Sequence, residues 1–171
     1  MIRPATPADS AAIAAIYNHF VTNTTVTFEE EPVSSAEMTK RIENVSALSL
    51  PWLVAETEGA VAGYAYATRW HHRHGYRFSV EVTVYLGPAF GGRGLGSRLY
   101  QQLFPVLEQQ GTRVVMGVIA LPNEASIALH EKFGLEKVGH FKGIGMKFGE
   151  WIDVGYWQRT FPGQSAGNGL A

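Results

Sequence analysis

The sequence predicts a mixed α/β domain, one mixed sheet with helices on both sides, and three observations predict it. Phe78, Val80, Val82, Val84 and Leu86 alternate with Arg77, Ser79, Glu81, Thr83 and Tyr85, the two-residue period of a strand with one apolar face. Leu95, Leu99, Leu103 and Leu107 then recur at four-residue steps, the spacing of one helix face. The segments run strand, two helices, three strands, helix, strand, helix, two strands, which lacks the strict alternation of a doubly wound fold.

Each element has a local cause. Thr6-Pro7-Ala8-Asp9 reads as a helix start, with a hydroxyl cap, proline in the first turn and a carboxylate at the positive end. Ile13, Ile16, Tyr17 and Phe20 follow at helical spacing. Ser34-Ser35-Ala36-Glu37 resembles a capping box opening a second helix to Ala47. Strands at Trp52–Glu56 and Val61–Ala67 flank the turn signal Glu58-Gly59, and the alternating strand ends in a glycine-rich stretch from Gly87 to Gly96. In the helix that follows, Pro105 predicts a kink or an early end. Val114–Ala120, apolar apart from Gly117, reads as a strand covered on both faces. Asn123 caps a short helix that Gly134 stops. Gly139–Phe148 and Ile152–Thr160 are the last two strands. One domain spans residues 1–161, and Pro162 to Ala171, rich in small and polar residues, reads as a flexible tail.

Composition narrows the function. Formal net charge is −1, so no general attraction to nucleic acid or an anionic membrane is expected. Met1-Ile2-Arg3-Pro4 offers no apolar signal core, and no apolar run approaches the ~18 residues of a membrane span; a cytoplasmic location is the expectation. The chain has no cysteine, which excludes disulfides, zinc–thiolate sites and a cysteinyl acyl-enzyme.

Gly91-Gly92-Arg93-Gly94-Leu95-Gly96 sits between a strand and a helix. Glycines let the backbone approach a bulky anion, and free amides at a helix start point toward it. A pyrophosphate suits such a loop, with Arg93 as an added cation; a plain tight turn suits it equally. No Gly-Lys-Ser/Thr follows, so this is not a Walker A loop. The next strand ends in Ala120-Leu121-Pro122, without the acidic residue of a dinucleotide site.

With these residues in view, the chain resembles the GNAT superfamily of N-acetyltransferases, and within it the phosphinothricin and methionine sulfoximine N-acetyltransferases. The resemblance runs from Ile2 to Phe161. It is carried by Tyr17-Asn18, Thr27-Phe28, Trp52–Glu56, Gly63–Ala67, Glu81–Tyr85, the glycine loop, Leu121-Pro122-Asn123, Ser126–Glu131, Lys147-Phe148-Gly149 and Trp157-Gln158. It implies a mostly antiparallel mixed sheet of about seven strands flanked by about four helices, acetyl-CoA as co-substrate, no metal, a small-molecule amine as acceptor, and a homodimer. The backbone of Val84, Tyr85 and Leu86 should pair with the pantetheine arm as an added strand would. The amides of Gly92, Arg93, Gly94, Leu95, Gly96 and Ser97 should hold the pyrophosphate, and Asn123 and Ser126 the arm or the ribose phosphate. The family's loop usually opens with Gln or Arg where this chain has Gly91.

The chemistry needs a proton acceptor, because an amine attacks a thioester only as the free base, and a donor for the thiolate. Glu81 matches the family's base; on the pattern alone it could be a solvated polar-face residue like Ser79 or Thr83. His130, in Leu129-His130-Glu131, stands where many relatives carry a tyrosine that protonates the thiolate, and is a general acid, an acceptor clamp or a buried polar residue. The segment Arg69–Arg77 gathers cations and aromatics, and the resemblance makes Arg73 and Tyr76 substrate contacts, with Phe28 as an apolar wall. His71, His72 and His74 make a poor metal site, since neighbouring strand residues point oppositely and no carboxylate is near. The competing readings are acetylation of another small amine or of a protein N-terminus, and a coenzyme-A-binding sensor without catalysis.

Overall fold

The structure, a computed structural model, describes residues 1–163; the expected tail lies outside the described residues beyond Gly163. Seven strands form one sheet: β1 (Ile2–Pro4), β2 (Trp52–Thr57), β3 (Ala60–Arg69), β4 (Ser79–Leu86), β5 (Val114–Ala120), β6 (Glu136–Lys147) and β7 (Glu150–Thr160). Their spatial order is β1-β2-β3-β4-β5-β7-β6. Every neighbouring pair is antiparallel except β4 and β5. The helices are α1 (Ser10–Asn23), α2 (Ser35–Ala47), α3 (Leu95–Gln109) and α4 (Glu124–Lys132). The expected mixed sheet with helices on both faces is what forms.

The strand period divides the core. The Val80, Val82, Val84, Leu86 face of β4 packs with Leu95, Leu99, Leu103 and Leu107 of α3. On the other face Tyr85 joins Tyr64, Trp52, and Ile13, Tyr17 and Val21 of α1 with Met38 and Ile42 of α2. Leu99, Leu103 and Leu107 are wholly inaccessible, so truncating any of them to alanine costs about 2–5 kcal/mol.

Three local expectations change. Pro105 does not end α3, which continues to Gln109. Both Pro105 and Gln101, whose carbonyl loses its helical donor, are exposed, so the missing hydrogen bond falls on the solvent side of the helix, where it costs least. The chain after Thr6 makes one 3₁₀ turn, Pro7–Asp9, before α1 begins at Ser10. There the Asp9 carboxylate accepts hydrogen bonds from the Thr6 amide (2.8 Å) and hydroxyl (3.0 Å), and from the Arg3 guanidinium. Strand β6 begins at Glu136 rather than Gly139, its charged start paired with Gln158 and Trp157 of β7. As an edge strand it needs no apolar alternation there. Two bulges interrupt it, and Asp153 of β7 holds the second by accepting the Gly143 amide at 2.8 Å.

Candidate active site

The site originates in a mismatch of pairing lengths. Strands β3 and β4 pair without interruption from Arg69↔Val80 to Gly63↔Leu86. The parallel seam between β4 and β5 holds only at Ser79↔Val114, Val80↔Val115 and Glu81↔Met116. Beyond it β5 keeps its antiparallel partner β7 as far as Ala120↔Val154, and β4 and β5 separate. A cavity of about 490 Å³ occupies the gap. Its walls are Val82–Leu86 of β4, Val118–Ala120 of β5, Asn123, Ser126, Leu129 and His130 around α4, and His19 and Phe20 of α1.

The ladder determines which backbone groups face this gap. The Gly87 amide bonds the Ala62 carbonyl (2.9 Å) and the Trp70 amide that of Ser79 (3.1 Å). Because antiparallel bonding alternates, Glu81, Thr83 and Tyr85 spend their amide and carbonyl on β3. The same groups of Val82, Val84 and Leu86 point toward β5, into the opening. Of the three backbones expected to grip a pantetheine arm, those of Val84 and Leu86 are turned to do so, whereas Tyr85 contributes its side chain to the wall.

At the wide end stands the glycine loop. Gly92 and Gly94 have φ of +72° and +73°, left-handed backbone that favours glycine. Gly91 is extended, at φ −62° and ψ 153°; it lines the cavity, and a Cβ on it would meet nothing within 4 Å. Arg93 is exposed, with its guanidinium 5.7 Å from the Phe90 ring centre. The amides of Leu95, Gly96 and Ser97 fall in the first turn of α3, where no carbonyl of the helix reaches them. The Leu95 side chain belongs to the core, and the Ser97 hydroxyl accepts a hydrogen bond from Lys132 at 3.0 Å. Asn123 caps α4, its side chain accepting the Ser126 amide at 3.1 Å, while also lining the cavity.

The two candidate proton carriers lie at the narrow end. Glu81 occupies the last rung of the seam, on the α1 side, half-buried. Burial raises its pKa above the ordinary carboxylate value. Among the described residues no salt bridge or side-chain hydrogen bond meets it, so it is a partly desolvated carboxyl without a compensating cation. It is not one of the cavity walls.

His130 is 3% exposed. Its ring lies on Gly117 of β5, where any Cβ would collide with the imidazole. Nδ1 is 2.7 Å from the Ser126 carbonyl, which only accepts, so Nδ1 carries the proton. Nε2, 3.1 Å from the Tyr100 hydroxyl, is then the acceptor and Tyr100 the donor. Burial lowers the histidine pKa, and the imidazole is neutral near pH 7.

The expected acceptor contacts lie elsewhere. Phe28, 39% exposed, sits in the α1–α2 connection with its ring against Gly145 of β6. Arg73 and Tyr76 belong to the exposed β3–β4 connection, and Tyr76 packs beside His71 with ring centres 5.0 Å apart. That connection springs from the paired end of β4, whereas the cavity opens at the other end, so neither residue lines it. Among the described residues no group of three or more metal-ligating side chains is gathered, and no helix is long and apolar enough to cross a membrane.

Sequence reasoning did not single out His19, Phe20, Val26 or Tyr100 as site residues. Phe20 and Tyr100 have the spacing of ordinary core positions, so periodicity absorbs them, and nothing in composition marks the other two.

A sheet parted between two parallel strands, with amides along one lip and at a helix start, offers a slot for an amide-bearing arm that ends in an anion. Comparison with known proteins agrees. Residues 2–155 match the acetyltransferase (GNAT) domain, and the chain belongs to the GNAT acetyltransferase family. It is 46% identical over 160 residues to a phosphinothricin N-acetyltransferase of Streptomyces viridochromogenes, covering 94% of this chain and 87% of that protein. It is 37% identical to an L-methionine sulfoximine/L-methionine sulfone acetyltransferase of Salmonella typhimurium, covering 92% of each. The crystal structure of a GNAT superfamily phosphinothricin acetyltransferase from Sinorhizobium meliloti in complex with AcCoA superposes with a TM-score of 0.91 at 40% identity, over 94% of this chain and 87% of that one.

Proposed function

We propose that the protein transfers the acetyl group of acetyl-CoA directly to the amine of a small amino-acid-like acceptor, of the phosphinothricin or methionine sulfoximine type, with both substrates bound together. The observation that carries this reading is the unpaired, half-buried carboxylate of Glu81 at the vertex of the β4–β5 gap.

The residues of the gap suit the donor. Val84 and Leu86 offer a free strand edge to an amide-bearing arm. The amides from Gly92 to Ser97 offer an anion site at the start of α3, with Arg93 beside it, and Asn123 and Ser126 line the floor. Acetyl-CoA supplies an activated thioester carbonyl. Glu81 takes the proton of the acceptor's ammonium, directly or through water, and so frees the lone pair that attacks. The nitrogen–carbon bond forms, the carbon–sulfur bond breaks, and the second proton that the nitrogen sheds goes to the thiolate, leaving amide, free thiol and the first proton on Glu81.

His130 belongs to the leaving-group side of this scheme, since it lies on the α4 side of the sheet, opposite Glu81. The His130 Nδ1 proton is held by the Ser126 carbonyl and Nε2 accepts from Tyr100, whose hydroxyl is wholly buried and made a weaker acid by burial, so the pair shapes the leaving-group side rather than holding a proton ready to give. Phe28 supplies an apolar wall for the acceptor, and Arg73 and Tyr76, on the connection that leads into the Glu81 end of β4, supply charge and aromatic surface on the side away from the cavity mouth.

A homodimer and a cytoplasmic location complete the proposal. Of the aromatics at the C-terminal end of the sheet, Trp157 and Phe161 are core residues, while Trp151 is 68% exposed. Val138, Phe141, Ile144, Met146 and Phe148 of β6 and its hairpin are exposed with it. An apolar edge strand of this kind is what a second copy covers. Light scattering that gives a monomer mass at micromolar concentration removes the dimer.

The decisive experiment is thiol release from acetyl-CoA with a panel of amines that includes methionine sulfoximine and phosphinothricin, comparing wild type with Glu81→Gln. Amine-dependent release, lost in the variant, supports the proposal. Cofactor binding with no turnover on any amine favours the sensor.

A further inference from the structure

Lys147, the last residue of β6, is 0% exposed, and the proposed chemistry does not use it. Its ammonium donates to the carbonyl of Thr27 at 2.7 Å and reaches that of Phe20 at 3.5 Å. Among the described residues it forms no salt bridge. Burying a cation against two carbonyls and the Phe148 ring, whose centre is 5.0 Å away, costs desolvation that a methionine of similar shape would avoid. What the ammonium adds is a fixed position for two backbone groups.

Those groups lie on the α1 side of the gap, the side from which the proposed acceptor reaches Glu81. The Phe20 carbonyl lies in the last turn of α1, where a cation is favoured, and it also accepts from the Thr24 amide (3.2 Å) and hydroxyl (2.8 Å). The Phe20 ring lines the cavity and packs on Tyr85, ring centres 5.0 Å apart. Thr27 is bonded through its hydroxyl to Tyr17 at 2.8 Å, and Phe28 follows. Two residues before Lys147 on the same face of β6, Gly145 leaves the space that the Phe28 ring fills.

We propose that Lys147 and Gly145 form a positioning device for the acceptor site. The ammonium anchors the end of α1 and Thr27, the glycine seats Phe28, and together they hold the α1–α2 connection in the pose against which the acceptor binds. This rests on the reading that the acceptor reaches Glu81 from the α1 side.

The test compares Lys147→Met, Gly145→Ala, Phe28→Ala and the Gly145→Ala/Phe28→Ala double variant in full-length protein. It reads KM for the acceptor, KM for acetyl-CoA, and amide exchange across residues 24–34. Lys147→Met should raise the acceptor KM on the order of ten- to a hundredfold, leave the acetyl-CoA KM within about twofold, and speed exchange in 24–34. Gly145→Ala should shift the acceptor KM in the wild-type background and not when Phe28 is already alanine. It keeps the lysine, so it decides the matter if Lys147→Met does not fold. Unchanged exchange together with an unchanged KM ratio, or equal rises in both KM values, overturns the device. If the acceptor reading itself is wrong, wild type turns over no amine while Lys147→Met still speeds exchange in 24–34, a pattern distinct from either.

Discussion

Glu81 and His130 stand on opposite faces of the sheet, one on each side of the gap between β4 and β5. Glu81 is opposite Met116 across the seam, and the next residue of β5, Gly117, carries the His130 ring on its other face. On the proposed reading, a carbonyl held in the gap would therefore have the carboxylate on its α1 side and the imidazole on its α4 side.

Replacing Glu81 with glutamine should lower kcat/KM by about 10²–10⁴-fold while leaving the affinity for acetyl-CoA unchanged in calorimetry. The acid limb of the wild-type rate profile should lie above the ordinary carboxylate range, because burial raises this pKa. A carboxyl with a raised folded pKa binds its proton more tightly folded than unfolded. Its contribution to stability is therefore lost as pH rises through the shifted range, and Glu81→Gln should raise the melting temperature at pH 7. A variant that stays fully active would leave the site without its base.

Tyr100→Phe removes the donor to Nε2 and leaves a buried acceptor unpaired, at a cost of about 1–3 kcal/mol. The hydroxyl favours the neutral imidazole, so its loss should move the His130 pKa upward, which a histidine NMR titration resolves. A downward shift would contradict the assigned tautomer.

The glycine loop offers a paired test. Gly91→Gln fits the extended backbone and open space at Gly91, so stability should hold or rise by about 0.4–1 kcal/mol, with KM for acetyl-CoA equal or lower. Gly94→Ala must adopt φ near +73°, which costs about 1–2 kcal/mol and should raise that KM. Equal effects from the two substitutions would refute the account of the loop.

Asp9, held by Arg3 and the Thr6 cap, has a pKa lowered to about 2. A depressed carboxyl stabilises the fold above its unfolded pKa, and that contribution is lost as pH falls from about 4 to 2. Asp9→Asn should cost about 1–3 kcal/mol at pH 7, discounted for the partial exposure of Arg3. It should also flatten the acid dependence of urea unfolding over that window.

The elements with a clean period were legible in the sequence: the alternation of Val80 to Leu86 placed β4 and its apolar face, though Phe78 falls before the strand and is exposed, and the leucines placed α3. Glycines with positive φ marked the loop. Less legible were contacts that depend on strands meeting. The parting of β4 from β5 is invisible in either strand alone, because it follows from β3 and β7 each keeping a partner. Arg73 and Tyr76, read as acceptor contacts, sit on a connection at the paired end of β4, and a linear sequence does not say which end opens. Tyr100 and Lys147 were hidden for opposite reasons, one on a face that reads as core, the other a charge that reads as surface.

The seam of three residue pairs between β4 and β5 has a mechanical corollary. Among the described residues it is the one ladder joining the leaf β1–β4 to the leaf β5–β7, so the sheet is two leaves on a narrow hinge. A molecule wedged along the lip of β4 bridges them, and saturation with donor stiffens the whole sheet as well as readying it for reaction. The melting temperature then climbs with donor concentration, and the slowing of exchange extends to β7, which does not line the cavity.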